Sequence, residues 1–496
     1  MDRDMNPQSL LAAHQLYALK QLALSHYQVS AYHLTQLAGK AALHHLQRHF
    51  AAAYKILIYC GGGGNAADGY ELAYLAHQAG YQVTINQFKT IDKLPHHAQI
   101  AANKALDAGV ICYWMEEDAA LLEADLIIDA LIGTGLKHEV HESILWAINQ
   151  INESRLPVFA LDVPSGLQAD TGACLSGCVK ATITLTFIAK KMGMFTGAGL
   201  DYCGQILWDD LGLVFPLNHV MCPDAQLLSQ DNLLPHLLQR HKNVHKGHFG
   251  HVLIIGGDEG MAGAPLLAAT AALRIGAGKV TVVMNANQSI QRPCPLEIMV
   301  YGVSHGADLT AFIKQASVCV LGPGLGMATW GRNLFKQVLA SQIPMIVDAS
   351  ALRILADLPQ FDDNWILTPH AGEAAALLRC STDWVNSNRY TAINQLQQKY
   401  GGAVVLKGAG SLIKTEHQPI WVCQQGNPGM ASAGMGDVLS GVIAGLVAQH
   451  LPLAEAAKLG VWLHANAGDL AASDHGQKGL LASDVIQQLN KLLNQL

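Results

Sequence analysis

Charge is scarce in this chain: only 14% of its 496 residues are Asp, Glu, Lys or Arg, while half are apolar. The charge excess of a disordered chain is therefore missing, and there is ample material for buried parallel sheets. The net charge of −7, from 31 basic and 38 acidic residues, leaves no basic footprint for nucleic acid and points to small-molecule partners. Also missing are a Cys-x-x-Cys pair, an uninterrupted apolar leader after Met1-Asp-Arg-Asp, and any apolar run long enough to span a membrane. The ten cysteines accordingly read as reduced thiols of a cytoplasmic protein, with Cys174 and Cys178, the nearest pair, as small buried residues. Histidine is plentiful, yet around His241, His245 and His248 no acid or cysteine sits at ligand spacing, which argues against zinc there.

The length suits two or three domains. Leu10 to Phe50 reads as helical, with leucines and alanines at three- and four-residue intervals and no proline. Short apolar runs then recur at Lys55–Cys60, Gln82–Asn86, Val110–Tyr113, Leu126–Ala130, Val158–Leu161 and Ala181–Phe187, with helix-length spacers between them. Such alternation predicts a doubly wound parallel sheet. The pattern lapses around Pro216 to Asp231, the expected domain boundary, and resumes at His251–Ile255, Lys279–Met284, Val318–Leu321, Met345–Asp348, Trp365–Thr368 and Ala403–Lys407. Two tandem three-layer αβα domains follow, residues 1–223 and 224–496, without a detectable repeat between them.

Glycine-rich tips close these strands. They are Gly61–Asp68, Asp129–Gly135 and Asp162–Gly166 in the first half, and Gly256–Asp258, Gly322–Gly326, Thr368–Glu373 and Lys407–Gly410 in the second. Open α/β sheets bind ligands at the carboxyl ends of their strands, so each domain should carry its own site. The most telling stretch is Gly426-Asn-Pro-Gly-Met-Ala-Ser-Ala-Gly-Met-Gly-Asp437, which runs into an apolar helix. Its glycines and the helix N-terminus suit an anion, and a phosphoryl group is the expected guest. A carboxylate there makes sense as a base that takes the proton of an attacking hydroxyl, although a plain helix cap is the alternative for Asp437.

His245–Asp258, Gly260-Met-Ala-Gly-Ala264, Gly322–Gly326, Pro369-His-Ala-Gly-Glu373, Lys407–Gly410 and Gly434–Asp437 resemble, in order, the NAD(P)H-hydrate dehydratases of the ribokinase-like superfamily. That resemblance covers Asp224 to the end. It implies a repair lyase that uses ADP or ATP, with magnesium, to dehydrate the S form of hydrated NADH or NADPH by phosphorylation and elimination. Asp437 would be the base, and the N–H groups of Ala433 to Gly436 would stabilise the transferring phosphoryl group. Lys407, Gly408, Ala409, Gly410, Ser411 and Gly436 would meet the nucleotide. Ala264, Gly324, His370 and Asp437 would line the hydrated dinucleotide. His370 has a rival role as a residue that ties down its loop, and Lys407 as a solvated charge.

The first domain is similar to the Rossmann-like NAD(P)H-hydrate epimerases through Cys60–Tyr70, Asp129–Gly135 and Leu161-Asp-Val-Pro-Ser-Gly-Leu167. The resemblance implies interconversion of the R and S hydrates, with Asn65, Asp129 and Ser165 coordinating potassium, a hard ion suited to oxygen. Substrate would lie along Gly64, Asn65, Ala66, Ala67 and Asp68, along Gly133, Thr134, Gly135, Leu136, Lys137, His138 and Glu139, and against Asp162. Asp162 would be the acid–base group, its plainer role being to cap the turn before Pro164. Lys191 falls where the family has a lysine. Where the family has Asn-Asn-Gly-Gly-Asp-Gly, this chain has Gly64-Asn-Ala-Ala-Asp-Gly69. A donor is lost, and two alanines would cost about 1 kcal/mol each if the loop needs positive φ there. A homo-oligomer without nucleic-acid or membrane partners is the expected assembly. A vitamin-precursor kinase, or a dehydratase joined to a non-catalytic binding module, are the competing functions.

Overall fold

The computed structural model describes residues 8–26, 29–114, 123–213, 222–233, 241–288, 294–304 and 308–496. The chain divides into two compact units, Met1–Ala225 and Gln226–Leu496. Part of the expected boundary segment, 216–221 with Pro216 and Asn218, lies outside the described residues.

In the first unit seven parallel strands stand in the order Ile111–Trp114, Gln82–Gln87, Lys55–Cys60, Leu126–Ala130, Val158–Leu161, Ile183–Phe187 and Gln205–Asp209. Chain order along the sheet is thus 3-2-1-4-5-6-7. The reversal between Lys55–Cys60 and Leu126–Ala130 opens a crevice where ligands of such folds sit. The inner strands are apolar along almost their whole length because helices cover both faces. Helix Gly64–Gln78 packs on helix Ala31–His49 through Gly39, where an added Cβ would stand 2.7 Å from the Glu71 side chain. Buried Glu71 is held in turn by the Lys104 ammonium at 2.7 Å and the Tyr32 hydroxyl at 3.1 Å.

Among the described residues the second unit repeats the plan with nine strands besides the short Ala225–Leu227 at its start. Their order is Ile298–Val303, Lys279–Asn285, His251–Ile255, Val318–Leu321, Met345–Val347, Trp365–Leu367, Ala403–Leu406, Ser411–Lys414 and Ile420–Cys423. The first seven run parallel and the last two return as an antiparallel meander. Helices Gly263–Arg274 and Met435–Ala448 press together on one face. Gly441 makes this possible, since a Cβ there would meet the Ala268 carbonyl at 2.0 Å.

Three expectations need correction. The span Leu10–Phe50 is not one helical stretch: Ser9–Leu11 is a strand paired with Lys190–Lys191, and Ser30 starts a second helix by accepting the His33 N–H at 3.0 Å. Ser30 was the readable signal, a cap hidden between two leucine-rich runs. Strands Gln205–Asp209, Ile298–Val303, Ser411–Lys414 and Ile420–Cys423 were not expected: the first and third mix polar with apolar residues, whereas Ile298–Val303 and Ile420–Cys423 are apolar runs that the sequence did offer. Ala66 and Ala67 carry no strain, for both lie inside helix Gly64–Gln78 and neither has positive φ. Glycine is required nearby for space instead: a Cβ on Gly61 would stand 2.0 Å from the Leu131 carbonyl oxygen, and one on Gly69 2.5 Å from Ala130.

Candidate functional sites

The second unit's site gathers at the carboxyl ends of its strands. Gly434 takes φ +89°, a conformation open to glycine, and caps helix Met435–Ala448 without any side-chain bond. Asp437 is the third residue of that helix and is not its cap, which removes the bland reading of this acid. The first N–H groups of a helix have no intrahelical partners, so they face the loop's mouth. Gly436 is there for room: an added Cβ would stand 3.1 Å from Lys407 Nζ and 3.8 Å from Asp348 Oδ2.

Beneath this turn lies a buried charge cluster. Lys407 Nζ donates to Asp348 Oδ1 at 2.8 Å and stands 3.9 Å from Glu373, while Ser440 Oγ donates to Asp348 Oδ2 at 2.7 Å. With its side chain 19% exposed and so paired, Lys407 is not a solvated surface charge. Burial disfavours its ammonium, but Asp348 and Glu373 more than offset that and hold its pKa above the ordinary lysine value. Burial, reinforced by Asp348 and opposed by Lys407, lifts the Asp437 carboxyl to about 7. A carboxylate poised there can gain and lose a proton near neutrality.

Arg389 organises the Lys407–Ser411 loop. Its guanidinium donates to the carbonyls of Leu406 at 3.2 Å and Gly410 at 3.3 Å, and lies 3.4 Å from that of Lys407. Gly408 has φ +140° and would place a Cβ 2.8 Å from Arg389 Nη1. Ala409 and Gly410 form the turn, and Ser411, whose Oγ donates to the Gly408 carbonyl at 3.0 Å, opens the next strand.

Of the other expected residues, Ala264 lies in the first turn of helix Gly263–Arg274, and that helix reaches the Gly434 turn through Leu267, 2.6 Å from where a Gly434 Cβ would be. Gly324, at φ +61°, accepts the Asp258 N–H at 2.7 Å, joining two strand tips at the sheet's reversal. His370 does tie down its segment: its Nδ1 accepts the N–H groups of Gly372 at 3.0 Å and Glu373 at 3.3 Å as the cap of helix Ala371–Leu378. Its Nε2 stands 3.4 Å from Glu373 Oε1. Asp348, Glu373, Arg389 and Ser440 were not singled out. Asp348 ends a recognised strand run and Glu373 closes a recognised strand tip, but Arg389 and Ser440 lie on helices with no local signal.

The first unit's site sits at its own reversal. Asp129 is fully buried: its Oδ1 accepts the Ser165 hydroxyl at 2.5 Å and the Leu131 N–H at 3.2 Å, and its Oδ2 accepts the Ser165 N–H at 2.8 Å. Burial lifts its carboxyl to about 6 against these bonds. Asn65 is 7% exposed, and neither Oδ1 nor Nδ2 has a partner among the described residues. Buried amides are seldom left so without a ligand in view.

Asp162 holds φ +66°, and its side chain turns away from the Pro164 turn toward Lys191, Thr186 and Phe187, which discounts the capping role. A Cβ on Gly133 would stand 3.3 Å from Asp162 Oδ2 and 3.4 Å from Asn65 Cβ, so both side chains border the space that glycine leaves open. Asp68 is half-buried in the helix that begins at Gly64. Burial lifts it to about 8, with Lys20 and Lys191 opposing the rise and Asp162 adding to it. Thr134 is half-buried and Leu136 buried, whereas Gly135, Lys137, His138 and Glu139 are exposed and no hydrogen bond among the described residues ties them to Asp162. Gly64 is exposed, with His97 Nε2 4.0 Å from where its Cβ would be.

Residues 252–491 match the family model for NAD(P)H-hydrate dehydratase, and residues 31–193 match that for the YjeF-related protein N-terminus. Over 97% of its length the chain is 43% identical to the bifunctional NAD(P)H-hydrate repair enzyme Nnr of Coxiella burnetii, covering 98% of that protein. The chain belongs to the bifunctional NAD(P)H-hydrate repair enzymes. The counterpart of the same name from Vibrio cholerae is 40% identical across 98% of this chain and 99% of its own. Among solved structures, a ribokinase-like superfamily protein of Enterococcus faecalis is 30% identical with TM-score 0.50, covering 55% of this chain and 96% of that one. Membership sets the vitamin-precursor kinase aside. Among the described residues no helix is long and apolar enough to cross a membrane.

Proposed function

We propose that the second unit dehydrates the S hydrate of NADH or NADPH with ADP or ATP as phosphoryl donor, and that the first interconverts the R and S hydrates. The observation that supports the dehydratase reading best is Asp437, lifted to about 7 in the first turn of a glycine-capped helix and free of any capping bond. In this reading Asp437 takes the proton of the ring hydroxyl as its oxygen attacks the terminal phosphoryl group. Phosphate then leaves that carbon as the neighbouring carbon gives up a proton, which restores the dihydronicotinamide. Backbone donors of Ala433 to Gly436 face the charge that develops on the phosphoryl oxygens. Lys407 to Ser411 and Gly436 meet the nucleotide, and Ala264, Gly324 and His370 meet the hydrated dinucleotide. Among the described residues no group of three or more His, Cys, Asp or Glu side chains could hold a metal ion, so no residue is assigned to magnesium.

Potassium fits the first unit's donors. Asn65 Oδ1 is buried without a partner, and the Asp129 carboxylate and Ser165 hydroxyl are oxygen ligands with no lysine or arginine bonded to them among the described residues. The ion would supply charge compensation beside Asp129 and orient substrate lying along Gly64–Asp68 and Gly133–Glu139. Asp162 is the acid–base group. The proposal takes the protein as a cytoplasmic homo-oligomer acting on small molecules.

The test is turnover of the purified S hydrate of NADPH with ATP and magnesium, followed by the returning dihydronicotinamide absorbance. Wild type should restore NADPH, while Asp437→Asn should lose about 10²-fold or more in kcat with nucleotide binding kept. An Asp437→Asn variant with more than about a tenth of wild-type kcat, against that range, refutes the assignment of the base.

A further inference from the structure

Lys191 is 1% exposed, and its ammonium has three acceptors for three protons: Asp162 Oδ1, Thr186 Oγ1 at 2.7 Å and the Phe187 carbonyl at 2.9 Å. A lysine so fully occupied has no proton left for a ligand. Asp162 is held just as unevenly. Its Oδ1 meets Lys191 and lies 3.5 Å from both the Thr186 hydroxyl and the Phe187 N–H, whereas its Oδ2 carries no hydrogen bond among the described residues. That free oxygen borders the space beside Gly133 and Asn65. The Asp162 backbone sits at φ +66°, costly for a residue with a β-carbon, and its N–H donates to the Leu185 carbonyl at 2.7 Å. Such strain persists only where the surroundings over-determine it, and the Lys191 clamp supplies that.

We propose that Lys191 is a positioning residue of the epimerase, which fixes one oxygen of Asp162 so that the other faces the hydroxyl of the epimerised carbon. The inference rests on the reading of Asp162 as the acid–base group. Lys20, from helix Ala13–His26, adds a second cation that favours the Asp162 carboxylate, while Asp68, from helix Gly64–Gln78, is lifted to about 8 and so adds little negative charge near neutrality. Burial opposes the Asp162 charge, and Lys191 and Lys20 more than offset it, holding the carboxyl below its usual range.

A double-mutant cycle on the full chain tests this, with epimerisation of purified R hydrate followed chromatographically and the dehydratase silenced by Asp437→Asn. Lys191→Met should lower epimerase kcat about 10–100-fold, as misplacement of a reacting group does, with KM within about twofold. Lys191→Arg should restore most of the loss. In an Asp162→Asn background Lys191→Met should add nothing, because the group it positions is gone. Thermal unfolding of each variant shows whether the first unit is folded, and Thr186→Val, which removes one Lys191 acceptor, should give a smaller loss of the same kind. If Lys191→Met costs the same factor with and without Asp162, or raises KM as much as it lowers kcat, the lysine serves the fold alone and the inference fails. If Asp162→Asn itself epimerises at the wild-type rate, the acid–base reading fails instead.

Discussion

Replacing Ala66 and Ala67 by glycine, which restores the epimerase family's usual residues, should weaken this protein and not speed it. Both alanines are fully buried within helix Gly64–Gln78. Each exchange removes a buried methyl worth about 0.8 kcal/mol and sets a residue that loses about 0.8–1.0 kcal/mol of helix propensity relative to alanine. The pair should thus cost about 3.5 kcal/mol. For a unit of this size that corresponds to a fall of roughly 7–14 °C in its melting temperature. Differential scanning calorimetry measures the fall, and R-to-S conversion with the dehydratase disabled by Asp437→Asn measures the activity. A double-glycine variant as stable as wild type and faster at epimerisation would refute the helical account of this loop. Gly64→Asn is a separate case, since its side chain meets open space near His97 and should be tolerated.

Dehydration should depend on an ionised Asp437, so kcat/KM falls as pH drops through about 7. Stability runs the other way: with its folded pKa raised, Asp437 contributes to stability fully below the ordinary carboxylate range and loses that contribution as pH rises through about 7. A pH–rate profile flat from 5.5 to 8.5, a window of about 1.5 units either side, would contradict the first statement. Asp348→Asn removes a like charge and frees Lys407, and both effects favour the Asp437 anion, so the acidic limb should move to lower pH. Breaking that buried pair should also cost about 3–5 kcal/mol in denaturant unfolding. Gly408→Val and Gly436→Val should each weaken ADP or ATP binding in calorimetry, the first by displacing Arg389 and the second by crowding Lys407.

What was legible in the sequence was the periodic and the glycine-marked. Buried parallel strands such as Lys55–Cys60 and Val318–Leu321 are continuous apolar runs, and the tips that follow them carry glycines forced by close backbone approach, as at Gly61 and Gly322. The loop before Asp437 was legible for the same reason. Long-range partners were not. Arg389 reaches the Lys407–Gly410 loop from a helix 18 residues away, and Ser440 meets Asp348 across 92 residues, spacings that leave no local trace. The misjudged alanines show the limit of motif reading: a missing glycine suggests a strained loop only if the backbone there has positive φ, and at Ala66 and Ala67 it does not.

The central claim, two complementary activities in one chain, is tested most directly by giving the protein an equimolar mixture of R and S hydrates with ATP and magnesium. Both epimers should disappear into NADPH with wild type, and with Asp162→Asn the R hydrate should lag behind at its spontaneous rate of epimerisation. If wild type consumes only the S half at the enzymatic rate, or leaves a stable phosphorylated product in place of NADPH, the account is wrong.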